Sequence, residues 1–295
     1  MTELAVRFGQ WRSLVGVLSE PAPEAANPAA PTVLFLNAGL LHHVGPHRIH
    51  VNLARRLAAQ GLRSLRFDLS GIGDSGPRRD TMARQTSMVA ETREAMDYLT
   101  QATGAERFVL FGLCTGADQS VRVALADERV VGAVLVDGYA YPTRGHFVRY
   151  YARRALRLQS WRSMLSGQHP AVARLVKRMR GQQPPPDKRP APAPASPRPG
   201  LYIKPPRAEA ERMLASLDAR GCGLQFIFTP TTNFSYRGQL EAMFPSLAGS
   251  PRVRVDFLKH ANHVFTLLAS QRAVMDAVEQ WLQTGIGEAP GPPTP

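Results

Sequence analysis

Short, continuously apolar segments alternate in this chain with segments of helical period, and that alternation is the strongest constraint on its fold. The apolar runs are "TVLFLNAG" (32–39), "RSLRFD" (63–68), "RFVLFGLC" (107–114), "VVGAVLVDGY" (130–139), "GLQFIFTP" (223–230) and "VRVDFLK" (253–259). Runs of this length without strict polar alternation read as strands buried on both faces. Helical segments are expected at 47–60, with Ile49, Leu53, Leu57 and Ala58 on one face, and at 84–103, with Met88, Met96 and Leu99 inward. Others are expected from the glycine-rich turn after 112 to about Ala126, near 237–247 and near 268–284. Strands separated by helices need crossover connections, so the fold class is α/β with a mostly parallel sheet flanked by helices. "LAVRFG" (4–9) and "LVGVLSEP" (14–21) read as a leading strand pair, followed by a Pro/Ala loop at 21–31.

The alternation breaks once. Residues 146–180 are helical in pattern, basic and aromatic, and 183–200, "QPPPDKRPAPAPASPRPG", are Pro-rich and irregular. The expected organisation is a core of 1–145 and 220–285, a helical basic cap insertion at 146–219 containing the Pro-rich loop, and a loose tail at 286–295. The net charge of +13 is concentrated in this region: residues 141–190 hold 12 Lys and Arg against one acid, Asp187. Such a block attracts anionic partners, although a general arginine bias (only four of the 36 basic residues are lysine) explains part of it. Phe147, Tyr151, Leu158, Trp161 and Leu165 form a helical stripe that Arg154 interrupts, opposite Arg149, Arg153, Arg157 and Arg162. This suits a cap helix packed on the core. It also suits a helix on an anionic membrane, or docking of an acidic acyl carrier protein or a coenzyme A phosphate. No motif supports nucleic-acid binding. Cys114 and Cys222 do not make a disulfide framework. With no apolar run of membrane-spanning length and no leader pattern at the start, a cytoplasmic location and no transmembrane segment are expected.

The chemistry centres on Gly112-Leu113-Cys114-Thr115-Gly116, which lies between a strand and a helix. The spacing G-x-C-x-G fits a nucleophile elbow, whose central residue is forced into a strained turn that lifts its side chain clear of the sheet. The residues two positions away must be tiny, because strand and helix backbones pass close there. The helix N-terminus adds partial positive charge and unpaired N–H donors, which favour a thiolate and an oxyanion. The alternative is a buried cysteine in a glycine-rich turn.

"FDLSGIGDS" (67–75) resembles the F-D-x-x-G-x-G-x-S turn of the α/β-hydrolase fold superfamily, and "HANHVFT" (260–266) resembles its late histidine loop. The resemblance covers roughly 14–145 and 220–284. Within the superfamily, "VGPHRIHVNLARRLAAQGLRSLRFDLSGIGDS" and "GLCTGA" resemble bacterial hydrolases encoded beside exosortase and biosynthetic clusters, which also carry Cys in the elbow. The resemblance implies the α/β-hydrolase fold. It implies Cys114 as nucleophile, His263 as general base, Gly112 and Gly116 framing the elbow, and an oxyanion hole of backbone N–H groups from Leu40 and Thr115. Leu40 follows Asn37-Ala38-Gly39, which stands where the superfamily has its His-Gly turn.

The superfamily's usual acid follows the strand "LQFIFTP", but here that place reads "TTNFSYRG", with no Asp or Glu. Two orienting residues remain open. Asn233 would act as in Cys-His-Asn proteases. Asp137 ends the strand after the elbow, where a few superfamily members place their acid. Asp137 is preferred, because a carboxylate stabilises imidazolium and an amide does not. His260 is expected to be structural, Asp68, Asp74 and Ser75 to stabilise a turn, Asp118 to sit compatibly with a helix dipole, and Cys222 to be inert. His42, His43 and His47 follow the strand "TVLFLNAG" and could line the pocket; a metal site there is disfavoured because no carboxylate or thiolate accompanies them. No cofactor is expected. The expected activity is hydrolysis of an ester or thioester through a Cys114 acyl-enzyme. The alternative is an acyltransferase or aminoacyl shuttle between carrier-protein or coenzyme A thiols. A lactonase like dienelactone hydrolase and an inactive binding protein rank lower.

Overall fold

The computed structural model describes residues 1–155, 204–230, 234–236 and 238–284. It divides into two compact units, Met1–Tyr141 with Lys204–Pro295, and Pro142–Ile203.

The first unit is built on an eight-stranded sheet: β1 (Thr2–Phe8), β2 (Leu14–Glu20), β3 (Thr32–Phe35), β4 (Ser64–Asp68), β5 (Phe108–Leu113), β6 (Val130–Val136), β7 (Gly223–Phe228) and β8 (Val253–Phe257), in the order β1-β2-β4-β3-β5-β6-β7-β8. β1 and β2 form an antiparallel hairpin, and β2 pairs antiparallel with β4. Every later pairing is parallel. Residues alternate between the two faces of each strand, and both faces are covered. On one side Val33, Phe35, Val109, Phe111, Val134 and Ile227 pack under helices α1 (Ile49–Ala59) and α7 (Leu268–Gln283). On the other, Leu34, Leu110, Leu135, Phe226 and Phe228 pack under α2 (Arg84–Thr103), α3 (Thr115–Ala126) and α5 (Arg207–Ala219). Two-sided burial explains the lack of polar alternation in these strands. Burying one of these large apolar side chains contributes roughly 1.5–3 kcal/mol.

Several boundaries differ from the sequence pattern, each for a physical reason. β3 stops at Phe35, because Asn37 turns its side chain into a hydrogen-bonded loop instead of extending the strand. The helix expected near 237–247 splits into α6 (Gln239–Met243) and a 3-10 turn at Pro245–Leu247, since Pro245 cannot continue the α-helical ladder. Residues 204–219, assigned to the insertion from sequence, lie in the first unit. The reason is α5, whose Ala210, Leu214 and Leu217 are fully buried in the core.

The second unit contains α4 (Arg144–Ala155), in which Phe147 is half-exposed. Leu158, Trp161 and Leu165 of the apolar stripe, the Pro-rich loop 183–200 and the tail 286–295 lie outside the described residues, and so does Asn233. Among the described residues no helix is long and apolar enough to cross a membrane.

Candidate active site

The parallel register of β5 and β6 brings the site together. Leu113 is paired with Val136, and the Cys114 N–H donates to the Val136 carbonyl (2.8 Å), so Cys114 and Asp137 leave the sheet side by side at its C-terminal edge. Cys114 has φ +57° and ψ −118°, a conformation that L residues avoid and that costs about 1–3 kcal/mol. It caps the N-terminus of α3 and is partly exposed. The flanking glycines are sterically required. A Cβ on Gly112 would lie 2.2 Å from the backbone of Gly116, and one on Gly116 would lie 2.8 Å from the Asn37 carbonyl. The G-x-C-x-G spacing is therefore set by β5, α3 and the loop after β3 passing within contact of one another.

Asp137 is held in turn. Its backbone, at φ +52°, donates to the Ile227 carbonyl at the end of β7 (2.9 Å). Its carboxylate accepts the Thr229 N–H and the Thr229 hydroxyl, both at 2.7 Å. The same carboxylate lies 2.8 Å from His263 Nδ1. His263 sits in a tight turn after β8. Asn262 closes the turn by bonding the Thr266 N–H and hydroxyl, and the buried Phe265 (φ +53°) anchors it, with its carbonyl accepting from Gln271. The Asp137 carboxylate first, and the neighbouring Cys114 second, push the His263 pKa up to about 10, against the opposing effect of burial. Nδ1 of the imidazole is thus committed to Asp137.

The place after β7, where the sequence lacks an acid, supplies Thr229, which orients Asp137. Sequence reasoning missed this residue; the signal was a lone polar group ending the apolar run "GLQFIFT". Asp118 is buried in the first turn of α3, and its Oδ1 accepts the Tyr139 N–H (3.2 Å), tying down the segment that leaves β6. His260 is exposed and lies two residues beyond the sheet ladder that ends with the Leu258 N–H on Phe228. Burial pushes the Cys222 thiol up to about 11.

The loop after β3 is tied to the elbow. Gly39 N–H donates to Thr115 Oγ1 (2.9 Å), and Leu40 follows with its side chain 78% exposed. Behind it, Asp68 is a hub that accepts the His43 N–H and ring Nδ1 (both 2.7 Å), Asn37 Nδ2 (2.8 Å) and the Asp74 N–H (3.1 Å). Burial pushes its carboxyl up, but these bonds outweigh it and hold the pKa below the ordinary value. His42 lies 3.0 Å from Asp74. The expectation that no carboxylate accompanies these histidines is therefore corrected: folding brings Asp68 and Asp74, distant in sequence, to His42 and His43, with ligand-type atoms within 4.8 Å of one another. His47 is exposed and stands apart from the group. Contacts of 2.7 and 3.0 Å are hydrogen-bond lengths, shorter than the ~3.3 Å between ligand atoms around a tetrahedral zinc ion. The cluster is built as a hydrogen-bond network that shapes the loop.

A family model described as "alpha/beta hydrolase fold" matches residues 31–164. The chain has the α/β-hydrolase fold. Solved structures with this fold include the esterase Pf2001 of Pyrococcus furiosus (16% identity, TM-score 0.59, covering 97% of this chain and 92% of that one). The carboxylesterase CesB (YbfK) of Bacillus subtilis matches at 17% identity and a TM-score of 0.55, covering 97% and 93%. XC6422 of Xanthomonas campestris, described as an a/b serine hydrolase without lid, matches at 13% identity and a TM-score of 0.54, covering 98% of each chain. No curated protein matches the sequence. At these identities the hydrolase-fold relatives share architecture, and the chemistry must be argued from this chain's own residues.

Proposed function

We propose that this hydrolase-fold protein is an acyl-processing enzyme of the ester or thioester class, with Cys114 as nucleophile, His263 as proton carrier and Asp137 as its orienting acid. One observation carries the reading: a single imidazole whose Nδ1 is hydrogen-bonded to a buried carboxylate, at the sheet edge where Cys114 stands on a strained elbow beside that carboxylate's strand. A histidine that keeps its proton up to a pH of about 10 is suited to partner a thiolate.

In the first step Cys114 Sγ attacks the acyl carbon, and the carbonyl π pair moves to oxygen. The developing oxyanion lies at the N-terminus of α3, where the Thr115 N–H is one donor and the Leu40 N–H the second; each such donor contributes about 3 kcal/mol to the transition state. Collapse expels the alkoxide or thiolate, which takes the proton from His263. The now neutral imidazole takes a proton from water as the water attacks the thioester, which restores the imidazolium, and Cys114 leaves as thiolate. The esterase names of solved structures sharing the fold support hydrolysis as the reaction.

A second reading has a thiol in place of water. A thioester acyl-enzyme exchanges with another thioester almost isoenergetically, and the strongly basic segment 141–190 suits an acidic carrier protein or coenzyme A. The test is intact-mass detection of an adduct after exposure to a panel of acyl esters and thioesters, with Cys114→Ala as control. Discharge of that adduct by water supports hydrolysis, and discharge only by a phosphopantetheine thiol supports transfer. No adduct from any donor on the wild-type protein overturns both.

A further inference from the structure

Lys204 is one of four lysines in the chain, and it is pinned. Its Nζ donates to the Ala140 carbonyl (2.5 Å) and lies 4.0 Å from the centroid of the Tyr141 ring. The Tyr141 hydroxyl donates to the Pro205 carbonyl (2.6 Å), which clamps the two strands of chain together. A lysine side chain held in one geometry loses about 2 kcal/mol of rotamer entropy, and among the described residues it gains no ion pair in return. None of the described carboxylates lies within ion-pair distance of Nζ. The ammonium carries three donors; one is on Ala140 and one face is on the aromatic ring. The residue is exposed, so a ligand has access to it.

Its position gives that charge a purpose. Ala140 and Tyr141 lie on the segment that leaves β6 just after Asp137. The Ala140 carbonyl that holds Nζ is next to Tyr139, whose N–H is tied to Asp118 in the first turn of α3, the helix that Cys114 caps, so the cation is held at the rim from which Cys114 emerges; desolvation lowers its pKa, and Asp118 and Cys114 oppose that. Asp118 is engaged with the Tyr139 N–H and does not reach Nζ as an ion-pair partner. A cation fixed by neutral groups beside a nucleophile is an anion seat.

We propose that Lys204 is a specificity-determining residue that holds a carboxylate or phosphate carried by the substrate next to Cys114, so the enzyme selects anionic over neutral acyl donors. The proposal rests on Cys114 being the reacting group, and it adds the substrate class. The charge has two possible positions: on the acyl chain, as in a dicarboxylic half-thioester, or on the leaving group, as in a phosphorylated pantetheine.

The test compares alkylation of Cys114 by iodoacetate and iodoacetamide, followed by mass spectrometry. These probes differ in charge and little in shape, and the ratio of their rates needs no turnover. At low salt the wild-type ratio should exceed that of Lys204→Met about five- to tenfold, as expected for one charge pair a few ångströms apart in a partly screened site. Lys204→Arg should retain the preference, and 0.5 M salt should weaken it. A ratio unchanged in Lys204→Met overturns the proposal. A misfolded variant is recognised by its circular dichroism, and the neutral probe serves as internal reference. If Cys114 reacts sluggishly with both probes, the acyl-enzyme reading fails while the ratio still decides the role of Lys204. Comparing succinyl with butyryl thioesters, and coenzyme A with N-acetylcysteamine leaving groups, then shows which end carries the anion. Lys204→Met should abolish the preference on that side, and no charge preference on either side overturns the proposal.

Discussion

Replacing Asp137 with Asn tests the coupling at the centre of the site. The asparagine Oδ1 can still accept the Thr229 N–H, and its Nδ2 can donate to the Thr229 hydroxyl, so both contacts now made at 2.7 Å survive. The amide then points an N–H at His263 Nδ1, where the carboxylate accepted at 2.8 Å. Two donors cannot face each other. Nδ1 must become the acceptor, which moves the proton of the neutral ring to Nε2, on the Cys114 side. A hydrogen bond to a charged group contributes roughly 1.5–3 kcal/mol. At 1.36 kcal/mol per pKa unit this lowers the His263 pKa by about one to two units, from about 10 to about 8–9. The lower figure is favoured because the ring is 35% exposed and solvent takes up part of the loss. The assays are the NMR titration of the His263 ring and the pH profile of Cys114 alkylation by iodoacetamide. The variant should titrate earlier and lose the alkaline end of its thiolate–imidazolium plateau. Its kcat should fall about 10–100-fold, less than in serine triads, since a thiolate needs the acid less. An unchanged titration and an unchanged rate in a folded Asp137→Asn protein would refute the linkage.

Gly112→Ala should destabilise the fold by about 3 kcal/mol or more, since its Cβ would meet the Gly116 backbone at 2.2 Å; a Tm within a degree of wild type contradicts this. The His263 pKa is raised above its ordinary 6.5, so its ion pair stabilises the fold fully below that pH, and the stabilisation is lost as pH rises toward about 10; comparing wild type with His263→Gln by thermal melts at pH 6 and pH 10 measures the loss. Asp68 is shifted the other way, so Asp68→Asn should lower Tm at neutral pH, with a deficit that narrows as pH falls below about 3.8. Because His42, His43, Asp68 and Asp74 stand at hydrogen-bond separations, EDTA should leave Tm unchanged; a drop that a divalent ion restores would reverse that reading.

The architecture was legible because it depends on local patterns. Two-sided apolar runs, helical periodicity and short connections admit few arrangements besides a parallel sheet with helices on both faces. Gly112 and Gly116 were legible for the same reason: a spacing of two on either side of a strained residue reports a close crossing of backbones. Other features came from pairings across long stretches of chain. Asp137 and His263 are 126 positions apart, and Thr229 is 92 from Asp137; they meet because β6, β7 and β8 are neighbours in register. The carboxylates beside His42 and His43, the core helix α5 and the clamp on Lys204 arise in the same way. A composition or a spacing carries no information about which loop ends share one edge of a sheet. That is set by strand order and crossover geometry, which bring Cys114, Asp137 and His263 to a common rim.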